Sequence, residues 1–452
     1  MTLNSTSPNQ ADLTAGGAAI TVDEAITRAG VGRFQQHLFL IFGLVWAADA
    51  MQVLSIGFSA PSIAQTFGLT IPQALQTGTL FFVGMLIGAF GFGRLADRIG
   101  RRPVLMATIV VDALAGISSA FAPDFQWLLI LRLVTGIGVG GTLPVDYTMM
   151  AEFLPSDRRG RWLVLLESFW AVGTIALALL ALVAGSQGGE AWRTIFFVTG
   201  IPAIIGVVLR FRVPESPRYL ARKGRLAEAR EVLDRMAEVN GTRAGIPAVK
   251  AEPAQRSSIL ALFSPLLRRR SICLLLAWFL ISVAYYGVFV HLPVRLAGEG
   301  FGFMRGQYFL VLLALVQLPG YALAAYGVER WGRRPTLIGF ILLSAVGCLL
   351  YSFGHSTTVV VGSTLLMSFA LLGTWAGIYA FTPEVYPTDL RSTGMGTAGA
   401  VARAGGLLAP SVIAPVMTTS FTLALVFIST SLVAAAIGVW LIDIESRNRA
   451  LE

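Results

Sequence analysis

Two short charged motifs occur twice in this chain, and the copies of each are separated by the same distance. Residues 97–103 read DRIGRRP and residues 329–335 read ERWGRRP. Residues 151–159 read AEFLPSDRR and residues 383–391 read PEVYPTDLR. In both cases the second copy begins 232 residues after the first. Because two unrelated motifs share one offset, the sequence indicates an internal duplication, so the fold must contain two homologous halves.

The composition places these halves in a lipid bilayer. Of the 452 residues, 55% are hydrophobic and only 13% are charged, whereas soluble domains carry about 25% charged residues. Twelve apolar runs come close to the ~20 residues that a helix needs to cross a ~30 Å hydrocarbon core. They lie near residues 37–60, 74–95, 103–122, 126–150, 162–185, 191–212, 271–295, 306–328, 335–353, 358–382, 393–417 and 420–443. We therefore expect an all-α membrane protein with twelve transmembrane helices, six in each half.

The polar segments divide the chain into five parts. These are a disordered tail at 1–33, a six-helix bundle at 34–212, a linker at 213–270, a second bundle at 271–443 and a tail at 444–452. The first segment lacks the basic start and apolar run of a cleaved signal peptide.

The linker contains one amphipathic stretch. A helix over 225–239 would place Leu226, Ala229, Leu233 and Met236 on one face. Two interpretations remain open, a latch that touches both halves and a simple connection with a solvated helix.

Arginine is distributed unevenly between the two sides of the bilayer. Most arginines fall in the joints 94–102, 152–161, 329–334 and 384–391 and in the linker, whereas the opposite joints hold only Arg193, Arg295 and Arg305. The positive-inside rule then predicts that the arginine-rich joints are cytoplasmic, and an even number of spans puts both termini there as well. The net charge of +9 follows from this topology. We expect no nucleic-acid partner, because the arginines form no single patch.

The joint between spans 2 and 3, GRLADRIGRRP at residues 93–103, resembles the hallmark loop of the major facilitator superfamily, GxLaDrxGRR. The resemblance implies two pseudo-symmetric six-helix bundles that alternate access to a midplane site. It also implies that Asp97 caps helix 11 and, with Arg101, holds the halves together in the outward-facing state. The second copy has Ala325 and Glu329 at the first glycine and the aspartate, which leaves the equivalent contact of Glu329 and Arg333 open. Charges that only enforce topology are the alternative.

A second motif, PESPRYL at residues 214–220, resembles an element shared by sugar porters and organic-ion transporters. We expect its charges and those at the ends of spans 4–5 and 10–11 to form ion pairs between the halves that close a cytoplasmic gate. The residues are Glu152, Arg159, Glu215, Arg218, Glu384 and Arg391. Exposed pairs contribute only ~0–1 kcal/mol each, which suits a gate whose two states lie close in energy.

Charged residues inside the spans are functional candidates, because each costs ~2.5–3.5 kcal/mol at the bilayer centre. Asp49, Asp146 and Glu167 are candidates for proton coupling, and Asp49 is also a candidate for substrate binding. Arg403 lies in a segment that resembles helix 11 of the organic-anion transporters. A guanidinium there would grip a carboxylate through two parallel hydrogen bonds. An internal ion pair with Asp49 or another acid is the alternative.

Aromatic residues in several spans would enclose a flat ring, since stacked aromatic pairs add ~0.5–1.5 kcal/mol beyond burial. The candidates are Trp46, Trp170, Tyr285, Tyr286, Trp375 and Tyr379. Gln317 is a candidate polar contact to the substrate.

The runs WAADAM at residues 46–51 and GGTLPVD at 140–146, together with the surroundings of Arg403, resemble bacterial niacin permeases. The resemblance implies uptake of a small aromatic carboxylate, nicotinate above all, through a monomer in the bacterial inner membrane. A broader aromatic-acid/proton symporter using Asp49 is one alternative. A sugar porter is another, although SVAYYG at 282–287 lacks the paired glutamines of that class.

Two further classes are disfavoured. Two matched hinges are unnecessary in a static receptor or scaffold. An enzyme is not expected, because the sequence contains no nucleophile–base arrangement, no metal-ligand spacing and no phosphate-binding loop. We expect no cofactor beyond a coupling proton.

Overall fold

The computed structural model describes residues 19–155, 158–242, 245–251, 258–298, 307–354, 356–387 and 390–444. Within these ranges twelve helices are 19 or more residues long. Eleven of them are apolar enough to cross a membrane, and the twelfth carries Arg403 near its middle. The prediction of an all-α membrane protein with twelve spans is confirmed.

Six long helices form each half, with short helices before, within and between the halves. The first half contains α2 (Arg33–Phe67), α4 (Gln76–Ile99), α5 (Arg101–Ser119), α6 (Phe125–Glu152), α7 (Arg159–Ala184) and α8 (Ala191–Arg210). The second contains α11 (Arg268–Gly298), α12 (Gln307–Arg330), α13 (Arg333–Ser352), α14 (Thr357–Val385), α15 (Arg391–Thr419) and α16 (Phe421–Trp440). The short helices are α1 (Val22–Ala29), α3 (Ile71–Ala74), α9 (Pro217–Arg222) and α10 (Leu226–Asn240).

The duplicated motif forms the same turn in both halves. Gly100 separates α4 from α5 at a φ of +110°, and Gly332 precedes α13 at a φ of +108°. This backbone conformation is readily accessible only to glycine. The halves also meet in equivalent ways, because α4 packs on α15 while α12 packs on α7. The internal repeat in the sequence is therefore a repeat of structure.

Glycines on α6 hold the first half together. A methyl group at Gly136 or Gly140 would collide with the backbone of Phe81 or Met85 on α4, and one at Gly138 would collide with Asp112 on α5. Small residues let membrane helices approach closely enough for backbone packing. The glycine run in span 4 thus fixes α4, α5 and α6 as one unit. Large apolar side chains on the outer surfaces of the helices are exposed, among them Leu114, Val183 and Trp440, as the bilayer requires.

The N-terminal segment differs from the expected disordered tail over its described part. Thr21 and Glu24 form a capping box at the start of α1, and Val22, Ala25 and Ile26 are buried. The partner surface is α10, which buries Ala229, Leu233 and Met236. Because this partner lies about 200 residues away in the chain, the local sequence of the segment does not reveal it. Residues 1–18 lie outside the described ranges.

Asn240 at the end of α10 joins the linker to the N-terminal segment. Its side-chain amide donates to the carbonyl of Gly30 at 2.9 Å and accepts from the amide of Phe34 at 3.0 Å. Further along the linker, the turn Ile259–Phe263 contacts α11 and α15 of the second half. The linker therefore touches both halves, and its action as a latch stays a prediction.

Candidate functional site

A cavity of about 300 Å³ lies between the halves. It is lined by Trp46, Glu167, Trp170, Tyr285, Tyr286, Leu372, Trp375, Tyr379 and Arg403. Its walls come from α2 and α7 of the first half and from α11, α14 and α15 of the second. The cavity thus brings together seven of the residues predicted to contact substrate, together with the proton-coupling candidate Glu167. Leu372 was not predicted, because nothing distinguishes it from other leucines in span 10.

Helical spacing places these residues on common faces. Leu372, Trp375 and Tyr379 of α14 follow the i, i+3, i+7 pattern, and Glu167 and Trp170 of α7 are three residues apart. The aromatic rings contact one another across the boundary between the halves. The ring centroids of Trp46 and Tyr379 are 5.9 Å apart. The result is an aromatic cage built jointly by both bundles.

Arg403 supplies the positive charge of the cavity. Its side chain lies beside the rings of Tyr286 and Tyr379 and within electrostatic reach of Glu167. Two glycines bring it there. A methyl group at Gly405 would lie 2.8 Å from the carbonyl oxygen of Phe279, and one at Gly406 would lie 2.8 Å from the Tyr286 ring. The small residues near Arg403 therefore serve the close packing of α15 on α11.

Several polar atoms around the cavity have no hydrogen-bond partner among the described residues. These are the indole nitrogens of Trp46 and Trp375 and Oε1 of Glu167. The indole of Trp170, in contrast, donates to the Tyr285 hydroxyl at 3.1 Å. Buried donors and acceptors are normally paired, and each one left unpaired costs about 1–3 kcal/mol. The unpaired atoms are therefore available to a bound molecule.

A second cavity, of about 530 Å³, opens between the halves at the arginine-rich end. Its walls include Tyr147, Glu152, Arg159, Arg218 and Pro383. Tyr147 stacks on Tyr379 with ring centroids 4.8 Å apart, and Tyr379 also lines the central cavity. This tyrosine pair, one ring from each half, forms a wall between the two cavities. Sequence analysis missed Tyr147, because only its contact with Tyr379 distinguishes it.

Two residues predicted to contact substrate do not line the central cavity. Gln317 is buried between α12 and α14, where its amide nitrogen lies 3.3 Å from the Ser368 hydroxyl. Asp49 is buried within the first half. Asp146 also lies inside the first half, in an ion pair with Arg210. Of the three proton-coupling candidates, only Glu167 reaches the cavity.

The predicted gate residues form ion pairs at the arginine-rich end. Arg101 lies 3.5 Å from Glu152, and the equivalent Arg333 lies 3.1 Å from Glu384. Each of these two pairs stays within one half. Arg333 also approaches the other half, since a methyl group at Gly160 would lie 3.1 Å from its guanidinium.

Other gate candidates take different roles or cannot be placed. Arg159 and Arg218 contact Asp23 of α1, and Glu329 is exposed. The side chains of Asp97 and Arg391 lie outside the described residues. The proposed network across the halves remains a prediction.

Glu215 acts as a helix cap. Its carboxylate accepts hydrogen bonds from the backbone amides of Arg101 and Arg102, both at 3.1 Å, at the start of α5. It lies close to Gly100, where any side chain would displace it. The glutamate of the PESPR motif therefore stabilises the hinge of the GRR motif.

We expect Glu215→Ala to lower stability, because it leaves two helix-terminal amides without their acceptor. Loss of a cap costs about 0.5–2 kcal/mol. Thermal unfolding in detergent should show a lower midpoint than the native protein. Glu228→Ala is the matched control, since it removes only an exposed pair with Arg225. Equal midpoints for the two variants would contradict the capping role.

Comparison with known proteins gives consistent results. The family model described as "Sugar (and other) transporter" matches residues 27–452. The niacin transporter NiaP of Acinetobacter baylyi is 37% identical, over 93% of this chain and 97% of the relative. A putative niacin/nicotinamide transporter NiaP of Bacillus subtilis is 32% identical, over 87% and 91% respectively. Among solved structures, the proton:xylose symporter XylE of E. coli aligns with a TM-score of 0.77 at 19% identity, over 92% of this chain and 97% of that chain.

Proposed function

The chain belongs to the sugar (and other) transporter family of the major facilitator superfamily, and we propose that it carries a small aromatic carboxylate, with nicotinate as the best candidate. As a multi-pass membrane transporter it is not an enzyme. Transport would proceed by rocking of the two bundles about the central cavity, so that the site opens to one side at a time.

The observation that carries this proposal is the pairing of Arg403 with an aromatic cage. A guanidinium has five donors in a planar fork that matches a carboxylate. The unpaired indole nitrogens of Trp46 and Trp375 would add donors for the same anion. The rings of Trp46, Trp170 and Tyr379 line the same space and suit a flat, planar ring. Nicotinate, a pyridine ring with one carboxylate, satisfies both features.

The relatives support this choice of substrate, since two of them are named as niacin or niacin/nicotinamide transporters. A sugar is the second candidate, from the family description and the likeness to XylE. The cavity lining argues against it. A sugar needs several groups that hydrogen-bond hydroxyls, whereas most of the lining here is aromatic.

We place the transporter in the inner membrane of a bacterium as a monomer, with the arginine-rich end and both termini in the cytoplasm. The arginine distribution supports this orientation, and the two bacterial relatives support the location. Inward transport would then deliver substrate past Tyr147 and Tyr379 into the cavity at the arginine-rich end.

Exchange of labelled nicotinate tests the proposed function. The purified protein is reconstituted into liposomes loaded with unlabelled nicotinate, and entry of external label is followed. We expect entry well above that of protein-free liposomes, inhibited by excess nicotinate and unaffected by excess xylose. Entry no faster than in protein-free liposomes would contradict the proposal, and inhibition by xylose alone would favour the sugar porter.

A conservative change tests the unpaired indole donor. Trp375→Phe keeps an aromatic ring and removes the N–H group. Because a hydrogen bond contributes about 0.5–1.5 kcal/mol net, we expect the KM of nicotinate exchange to rise about two- to tenfold with little change in the maximal rate. Trp127→Phe is the control, since Trp127 lies exposed at the start of α6. An unchanged KM in Trp375→Phe would exclude this contact.

A further inference from the structure

The first half contains a second group of buried charges, apart from the residues that line the cavity. Its acids are Asp49 on α2, Asp112 on α5 and Asp146 on α6, and its bases are Arg132 on α6 and Arg210 on α8. All five side chains are fully buried. Asp112 was not among the residues predicted from the sequence.

Both arginines are held by other partners. Arg210 pairs with Asp146 and donates to the carbonyl of Leu105 at 2.8 Å. Arg132 donates to the side-chain oxygen of Gln52 at 2.8 Å and to its backbone carbonyl at 2.9 Å. The Arg132 guanidinium also lies 4.6 Å from the ring centroid of Phe81. These contacts fix each cation in place.

Asp49 and Asp112 are left without such contacts. None of their four carboxylate oxygens has a hydrogen-bond partner among the described residues. Asp49 lies within electrostatic reach of Asp112, Asp146, Arg210 and Arg403, and Asp112 lies within reach of Arg132 and Arg210. Two unpartnered acids therefore lie near each other in the interior of a membrane protein.

The charges of this group do not balance. Three carboxylates accompany two guanidinium groups, which leaves one negative charge in excess if all five are ionised. Burying an uncompensated charge costs several kcal/mol. A single proton removes the excess and supplies a donor for one of the unpartnered oxygens. Asp146 is the least suited to hold it, because Arg210 already binds that carboxylate.

We propose that Asp49 and Asp112 together bind one proton whose uptake is coupled to binding of the substrate anion. Asp49 connects the two sites, since it follows the cavity residue Trp46 by three positions on α2 and feels the charge of Arg403. When a substrate carboxylate neutralises Arg403, the positive field that favours an ionised Asp49 weakens. Proton binding then becomes more favourable, and by linkage the proton strengthens substrate binding equally.

The coupling rests on the proposed function and makes the transporter a proton symporter. The substrate anion and the proton enter together, so the interior of the protein gains no net charge. Release of the substrate restores the field of Arg403 and favours release of the proton.

Proton uptake by the purified protein tests the inference. Neutralised nicotinate is added to the detergent-solubilised protein in weak buffer between pH 6 and 9, with a pH-indicator dye as readout and calorimetry for affinity. We expect native protein to take up as much as one proton per nicotinate bound. Its Kd should rise about tenfold per pH unit above the pH at which the pair ionises. Asp112→Asn and Asp49→Asn should bind nicotinate without this pH dependence.

The control is Asp124→Asn, which retains a good helix cap at the exposed start of α6 and should take up protons like the native protein. The other titratable group near the substrate is Glu167, so Glu167→Gln is measured in parallel. Uptake that persists in Asp112→Asn and disappears in Glu167→Gln would overturn the inference, as would nicotinate binding without uptake at every pH. Absence of nicotinate binding in the native protein would contradict the proposed function instead.

Discussion

Replacing Arg403 by glutamine is expected to abolish exchange of nicotinate at substrate concentrations that saturate the native protein. The cavity would lose its cation while Glu167 remains, so the substrate carboxylate would meet a negative site. Truncating one partner of a buried, hydrogen-bonded charge pair costs about 2–5 kcal/mol. Affinity should therefore fall about 30-fold or more.

Two further variants separate the charge of Arg403 from its shape. Arg403→Lys keeps the charge and loses the planar fork, so we expect an intermediate loss of affinity. The double variant Arg403→Gln/Glu167→Gln removes both charges and should recover little affinity for the anion. If Arg403→Gln exchanged nicotinate with native KM and rate, the assignment of Arg403 to the substrate would be wrong. Thermal unfolding of each variant in detergent checks that the fold is retained.

Replacing Asp146 by asparagine is expected to be the most destabilising single change in the first half. Arg210 would keep its charge in a fully buried position and lose its carboxylate partner. Breaking a buried pair by removing one member costs about 3–5 kcal/mol. We expect a large drop in the thermal midpoint in detergent and a lower yield of folded protein.

A double replacement tests the cause of that loss. Asp146→Leu/Arg210→Met removes both charges and retains apolar volume, so it should be more stable than Asp146→Asn. Asp443→Asn is the matched control, because Asp443 pairs with Arg269 on the exposed surface and should unfold close to the native midpoint. If Asp146→Asn unfolded at the same temperature as Asp443→Asn, the pair would have no structural role.

Features that depend on nearby residues could be predicted from the sequence. The repeat at an offset of 232 identified the matched turns at Gly100 and Gly332, because a positive φ at glycine is a local property. The residues of the aromatic cage were found because buried charges and aromatic residues are conspicuous within apolar spans. Arg403 and Glu167 have no charged counterparts in the other half, since 232 residues away lie Ala171 and Gly399. The halves have thus diverged at the site itself.

Features that depend on distant contacts could not be predicted. The helix Val22–Ala29 is stabilised by α10, and nothing within the N-terminal segment indicates that surface. Gln317 seemed available to substrate, but its amide lies against Ser368. Asp112 and Tyr147 become notable only through neighbours on other helices. The arginines of the repeated motif were expected to link the halves, and two of them pair within their own half.

The most direct test of the central claim is a comparison of three ligands by calorimetry on the purified protein. Nicotinate and benzoate share a flat ring and a carboxylate, whereas nicotinamide keeps the ring of nicotinate and lacks the charge. If Arg403 binds the carboxylate within an aromatic cage, nicotinate and benzoate should compete for one site, and nicotinamide should bind about 30-fold more weakly or worse. Nicotinamide binding as tightly as nicotinate, with the same affinity in Arg403→Gln, would contradict the account.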